Sequence, residues 1–215
     1  MKALLFDLDN TLYPAEKNLF ALIDVRINRY MQEVVGIAKE QVDALRRHYW
    51  QEYGATLQGL IRHYGADAEE YLEYVHRFDI GQRLTPDIEL IETLKNIDRP
   101  CFVFTNGSRQ HAEQVTTALG IRQYFDEIFD IRIADYQPKP SPLPYQQVLK
   151  QLGMQGKDCA MIEDSLANLK TAKDFGMTTL LVGSEQTGSF VDAQFSRPAE
   201  IGPWLKSRDT ESQKT

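Results

Sequence analysis

The sequence predicts an α/β fold, a parallel sheet with an all-helical insert after its first strand. Three observations predict it. Short, continuously apolar runs recur along the chain. Amphipathic helical patterns separate them, and one long early stretch is helical in period with no strand at all.

The first run, residues 2–8, reads as a buried parallel strand, apolar until Asp7 and Asp9 break it. Residues 16–79 then carry helical spacing throughout. Leu19, Ile23, Ile27, Tyr30 and Met31 share one face, and Val42, Leu45, Tyr49 and Trp50 a second. Leu57, Leu60, Ile61 and Tyr64 make a third, and Tyr71, Leu72, Val75 and Phe78 a fourth. Thr85-Pro86-Asp87 starts a helix back to the sheet, with Ile88, Ile91 and Leu94 expected to face inward. Further strands are expected at residues 101–104, 128–131, 160–162 and 179–182. Helices between them cover 110–119, 144–152 and 166–175, each followed by a glycine suited to the left-handed end of a helix. The expected division is a core of residues 1–14 and 83–206, a helical insert of 15–82, and a disordered polar tail of 207–215.

With 215 residues the chain can bury a substantial core. Its net charge of −7 argues against a nucleic-acid polymer as partner, since no basic stripe offsets it. A small anion remains possible where a metal, a lysine or helix N-termini supply local positive charge. Cys101 and Cys159 each begin an apolar run, with no CxxC spacing, and fit buried thiols in a reducing cytoplasm. The first apolar run is too short for a signal peptide, and no stretch approaches a membrane span, so no membrane partner is expected.

Open α/β sheets bind ligands at the carboxyl ends of their strands. Four such ends carry reactive residues: Asp7-Leu8-Asp9-Asn10-Thr11, Thr105-Asn106-Gly107, Lys139 between Pro138 and Pro140, and Glu163-Asp164-Ser165. Each alone has an ordinary explanation as a turn, a helix start or a surface lysine. Together, in order, they point to one site. Asp7 and Asp9 alternate along an extended backbone and would share a face. One carboxylate can attack phosphorus and form an aspartyl-phosphate, and the other can protonate the leaving oxygen and later deprotonate water. Four acids in one cleft call for a counterion, and Mg²⁺ suits hard oxygen ligands. Asp7, Asp164 and the backbone carbonyl of Asp9 are the expected ligands, with Glu163 behind them orienting a metal-bound water. Thr105, Asn106 and Gly107 would grip phosphoryl oxygens, and Lys139 would cancel phosphoryl charge and restrain the nucleophile.

These residues resemble the four motifs of the haloacid dehalogenase superfamily: Asp7-x-Asp9-x-Thr11, Thr105, Lys139-Pro140 and Glu163-Asp164. The resemblance implies a Rossmann-like core, with the helical insert as its cap domain. An acid at the position of Asp9 implies a phosphatase or phosphotransferase rather than a dehalogenase. Within the superfamily the chain is similar to the pyrimidine 5′-nucleotidase branch. Asp9-Asn10-Thr11-Leu12-Tyr13-Pro14, residues 53–60 of the cap, and Thr105-Asn106-Gly107 followed by His111-Ala112 carry that likeness. It implies a pyrimidine nucleoside monophosphate as substrate, with Tyr53 as the favoured cap contact. Most other cap aromatics are expected in a core. His76 and His111 are expected to face solvent. The alternatives are a sugar-phosphate or phosphoglycolate phosphatase, a phospho-accepting switch module, which Asp9 and the cap argue against, and a silent binding protein, which the intact motifs argue against.

Overall fold

Buried apolar residues make the central strand, β1 (Ala3–Phe6), with all four side chains inaccessible. A computed structural model of the chain describes residues 1–81 and 83–212. Beside β1 lie β2 (Cys101–Phe104) and β4 (Cys159–Glu163), both parallel to it, with Leu4 opposite Cys101 on one side and Ala160 on the other. β3 (Glu127–Phe129) extends the sheet past β2, and β5 (Thr178–Val182) extends it past β4. A sixth strand, β6 (Ala193–Phe195), closes the far edge, giving the order β3-β2-β1-β4-β5-β6. The chain winds outward from β1 to β3 and returns to β4, so the reversal point lies between β1 and β4. A crevice opens there above the strands' carboxyl ends.

Period-two alternation divides the strands between two apolar layers. Leu4 and Phe6 join the layer formed with α5 (Ile88–Lys95), α6 (Arg109–Ala118) and α9 (Ile201–Ser212). Ala3 and Leu5 join the layer formed with α7 (Pro142–Leu152) and α8 (Leu166–Asp174). Each leucine or phenylalanine side chain buried this fully contributes about 1.5–3 kcal/mol of apolar transfer. The fold is thus α/β, a parallel sheet with helices on both faces and a Rossmann-like strand order.

Between β1 and β2 the chain forms α1 (Leu19–Glu33), α2 (Lys39–Tyr53), α3 (Thr56–Tyr64) and α4 (Ala68–His76), with no strand among the described residues. These helices enclose a third apolar cluster around Ile23, Ile27, Tyr30, Met31, Leu60 and Leu72. Tyr49 is buried there, whereas Trp50 is 67% exposed. Gly54 follows α2 with φ +79°, and a Cβ there would lie 3.1 Å from Pro138 Cγ. Only glycine suits both the left-handed backbone and that close approach. Gln58 adds a second tie to the core, donating to the Tyr136 carbonyl at 2.7 Å.

The structure corrects four expectations. Ile88 is 66% exposed, because Asp87 caps α5 by accepting from Leu90 N–H; Leu90 and Leu94 then face the sheet. β6 was not expected; it is three residues long and half-exposed, without an apolar run to announce it. The strand expected at 128–131 ends at Phe129, and Ile131 opens a short 3-10 turn capped by Asp130. Finally, α9 continues through residues 207–212 of the expected tail, where the Arg99 guanidinium pairs with Asp209. Residues 213–215 of that tail, and Gln82 at the expected cap boundary, lie outside the described residues.

Candidate active site

Asp7 directly follows β1, and its N–H donates to the Ile162 carbonyl at 2.9 Å, which fixes it between β1 and β4. The backbone does not stay extended through Asp9. It turns, with Asn10 at φ 62° and Leu12 N–H donating to Leu8 O at 3.0 Å. Asp7 and Asp9 line one cleft of about 1340 Å³, while Leu8 between them is buried in the core.

Lys139 is the centre of the site. It is 2% exposed, and its ammonium donates to Asp7 Oδ1 at 2.8 Å, Glu163 Oε2 at 2.9 Å and the Phe104 carbonyl at 2.7 Å. All three donors of the ammonium are used. The loop that delivers it is pinned by Asn106, whose amide accepts from Lys139 N–H at 2.7 Å and donates to Lys139 O at 3.0 Å. The Asn106 side chain is thus committed to the lysine loop, which leaves its backbone as the part that can meet an anion. The Lys139–Pro140 peptide is cis.

Asp7, Glu163 and Asp164 each offer a carboxylate oxygen, and these oxygens lie within 4.8 Å of one another. The crowding shows in their acidity. Burial, then Glu163, push Asp7 up from 3.8 to about 7, against the pull of Lys139. Burial does the same to Glu163, also to about 7, and burial and Asp7 raise Asp164. Burial opposes the Lys139 charge, yet Asp7 and Glu163 together hold its ammonium above the ordinary lysine value. The pocket therefore favours a further cation, and a set of hard carboxylate oxygens fits a divalent metal such as Mg²⁺. Glu163, expected behind the ligands, adds a carboxylate oxygen to this cluster while its Oε2 accepts from the Lys139 ammonium.

Asp9 is absent from that cluster. Its Oδ1 takes hydrogen bonds from the Tyr13 hydroxyl and from His111 Nε2, the latter at 2.8 Å. Burial opposes its charge, but His111 and then Tyr13 outweigh burial and hold the carboxyl below its ordinary range. His76 and His111, expected in solvent, are 7% and 0% exposed and stack with centroids 4.6 Å apart. Helical spacing did not reveal this, because the histidines border the apolar stripe and their partners come from distant segments.

Thr105 follows β2, and its hydroxyl accepts from Gly107 N–H at 2.9 Å. Thr105, Asn106 and Gly107 all border the cleft. Ser108 caps α6, and Ser165 caps α8, accepting from Asn168 N–H. Tyr53 also borders the cleft, and its hydroxyl meets His63 Nε2 at 2.9 Å while Arg62 lies 4.7 Å over its ring. Trp50 and Arg62 line the same wall.

A profile of the haloacid dehalogenase-like hydrolases matches residues 1–176. The chain is 28% identical to phosphate metabolism protein 8 of Saccharomyces cerevisiae over 82% of its own length, and spans 60% of that protein. It is 25% identical to the phosphoglycolate phosphatase of Aquifex aeolicus, over 94% of this chain and 95% of that one. In fold it is similar to a HAD phosphatase from Thermococcus onnurineus, with a TM-score of 0.67 and 20% identity over 95% of this chain and 98% of the other. With the four strand-end motifs gathered in one crevice and a family match over most of its length, the chain belongs to the haloacid dehalogenase-like hydrolases.

Proposed function

We propose that this chain is a Mg²⁺-dependent phosphomonoester hydrolase working through an aspartyl-phosphate on Asp7. The observation that carries the reading is the Asp7 carboxylate, held by Lys139 beside Glu163 and Asp164, with Asp9 in the same cleft. Asp7, Asp164 and the Asp9 carbonyl are the proposed metal ligands, with Glu163 supporting them. When bound, Mg²⁺ supplies positive charge that offsets the repulsion between the Asp7 carboxylate and an anionic phosphoryl group.

In the first half-reaction an Asp7 oxygen attacks phosphorus, the ester P–O bond breaks, and Asp9 gives its proton to the leaving oxygen. His111 and Tyr13 favour the ionised form of Asp9; a phosphoryl dianion beside it raises its proton affinity toward the acid form. In the second, water attacks phosphorus, its proton goes to Asp9, and the P–O bond to Asp7 breaks, releasing phosphate. Lys139 keeps the nucleophile oriented, and Thr105 with the backbone of Asn106 and Gly107 cradles the phosphoryl oxygens. The working division is a core of residues 1–14 and 83–206 and a cap of 15–82. Two buried free thiols suit a reducing cytoplasm, and no helix among the described residues is long and apolar enough to cross a membrane.

For the leaving group we favour a pyrimidine nucleoside. The cleft's size and the Trp50, Tyr53 and Arg62 wall support it, since a base can stack there and a small acid would leave the space unfilled. The second reading is a phosphoglycolate or sugar-phosphate ester, supported by relatives such as the Aquifex phosphoglycolate phosphatase. Phosphate release from UMP, CMP, AMP, phosphoglycolate and hexose phosphates, with Mg²⁺ and with EDTA, separates them. Mg²⁺-dependent release favouring UMP and CMP is expected. Preference for phosphoglycolate keeps the mechanism and removes the nucleotide; no release from any ester removes both.

A further inference from the structure

Asp9 accepts two hydrogen bonds, and both land on one oxygen. His111 Nε2 lies 2.8 Å from Oδ1, and the Tyr13 hydroxyl donates to the same atom. Among the described residues no side chain donates to Oδ2. A carboxyl oxygen that accepts twice serves as the carbonyl end, so the transferable proton sits on the other oxygen. These donors therefore select Oδ2 as the working atom and fix where it points.

His111 is fully buried on α6, and its Nδ1 has no hydrogen-bond partner among the described residues. A buried imidazole with one nitrogen unpaired is a poor choice for packing alone; an apolar ring would fill the space without that penalty. Its single ring hydrogen bond in this structure goes to Asp9. One face of the ring is covered by His76, the last residue of α4, with the two rings 17° from parallel. His76 Nδ1 donates to Leu72 O at 2.9 Å and lies 3.1 Å from Ser108 Oγ, the cap of the helix that bears His111. Gly107 leaves room for the stack, since a Cβ there would lie 3.3 Å from His111 Cδ2 and 3.7 Å from His76 Nε2. A chain of contacts thus runs from the helical cap through His76 and His111 to Asp9.

We propose that His111 is the positioning residue for Asp9, and that His76 seats His111, so that Oδ2 is aimed at the reacting oxygens only while the cap's last helix is docked on the sheet. This rests on the reading of Asp9 as acid and base, and the mechanism needs it because a misplacement of about 1 Å can cost on the order of 100-fold in rate.

The test is a set of double-mutant cycles on the best alkyl phosphate substrate, reading kcat, KM and Tm. His111→Phe keeps the stack and the volume but loses the hydrogen bond, and His111→Gln retains an amide N–H able to reach Oδ1. His111→Phe is expected to lower kcat about 10- to 100-fold with KM nearly unchanged, and His111→Gln to recover most of that loss. Combined with Asp9→Asn, His111→Phe is expected to cost less than about twofold more, because it acts through Asp9. His76→Ala is expected to follow the same pattern with a smaller loss. Equal losses with and without Asp9, or wild-type kcat in His111→Phe, would overturn the role of His111; equal losses for His76→Ala would remove His76. Should Asp9→Asn alone turn over like the wild type, the acid/base reading fails instead, which keeps the two failures distinct.

Discussion

Lys139 shows what a single residue contributes here and how little of it a sequence displays. One lysine between two prolines reads as a stiff loop bearing a charge. Its burial against Asp7, Glu163 and the Phe104 carbonyl depends on three segments far apart in the chain. Lys139→Met leaves two carboxylates facing each other without their cation, and removing one partner of a buried pair costs about 3–5 kcal/mol. We expect a clear fall in Tm, measured by calorimetry without metal, and loss of nearly all phosphate release. Asp7→Asn should behave differently: its Tm stays near the wild-type value, because a neutral amide relieves the crowding, while turnover disappears. The roles assigned to Asp7 and Asp9 follow from residue types and strand-end positions. His111 was hidden, since a histidine one place off an apolar stripe gives no sign that an aspartate 102 positions away is its partner.

At the scale of elements, β1, β2, β4 and β5 were legible because each is a short apolar run buried on both faces. β6 and the end of α9 were not, since their order comes from edge pairing and from the Arg99–Asp209 ion pair rather than from hydrophobic pattern. The four cap helices were legible from their periodicity, yet that periodicity says nothing of how the cap meets the sheet. Gly54 is one such junction. Gly54→Ala places a methyl group in a left-handed backbone and against Pro138, beside Lys139. We expect a loss of stability of about 1–2 kcal/mol in urea titration and a lower kcat, since the strain falls on the lysine loop. One turn back along the same helix, Trp50→Ala should raise KM for nucleotides several-fold and leave KM for phosphoglycolate nearly unchanged, as removing a stacking surface costs about 1 kcal/mol or somewhat more. Equal effects on both esters would contradict a base-binding role for that residue.

At the scale of the molecule, the crevice concentrates acids that the fold cannot neutralise alone. Asp7 and Glu163 sit near 7 in the folded chain against ordinary values of 3.8 and 4.5. Between those values the folded state binds protons that the unfolded state has released, so stability falls as pH rises through this window. A bound divalent cation replaces those protons. Mg²⁺ should therefore raise Tm more at pH 8 than at pH 5, and scanning calorimetry at the two pH values checks this; an equal effect at both would place the metal away from this cluster. The order of the motifs told where the crevice would form, because parallel strands bring their carboxyl ends to one edge. What the sequence left out is the proton and hydrogen-bond arrangement inside it, which depends on burial. The central claim, a covalent phosphoryl group on Asp7, is tested most directly by trapping it. The Asp9→Asn variant, slowed in protonating the leaving group and in hydrolysing the intermediate, would be mixed with Mg²⁺ and p-nitrophenyl phosphate, whose leaving group needs no proton, then quenched, reduced with borohydride and digested for peptide mass spectrometry. Reduction of the acyl phosphate at position 7 alone is the predicted result. Turnover with position 7 unmodified, or wild-type turnover by pure Asp7→Asn protein, would contradict the account.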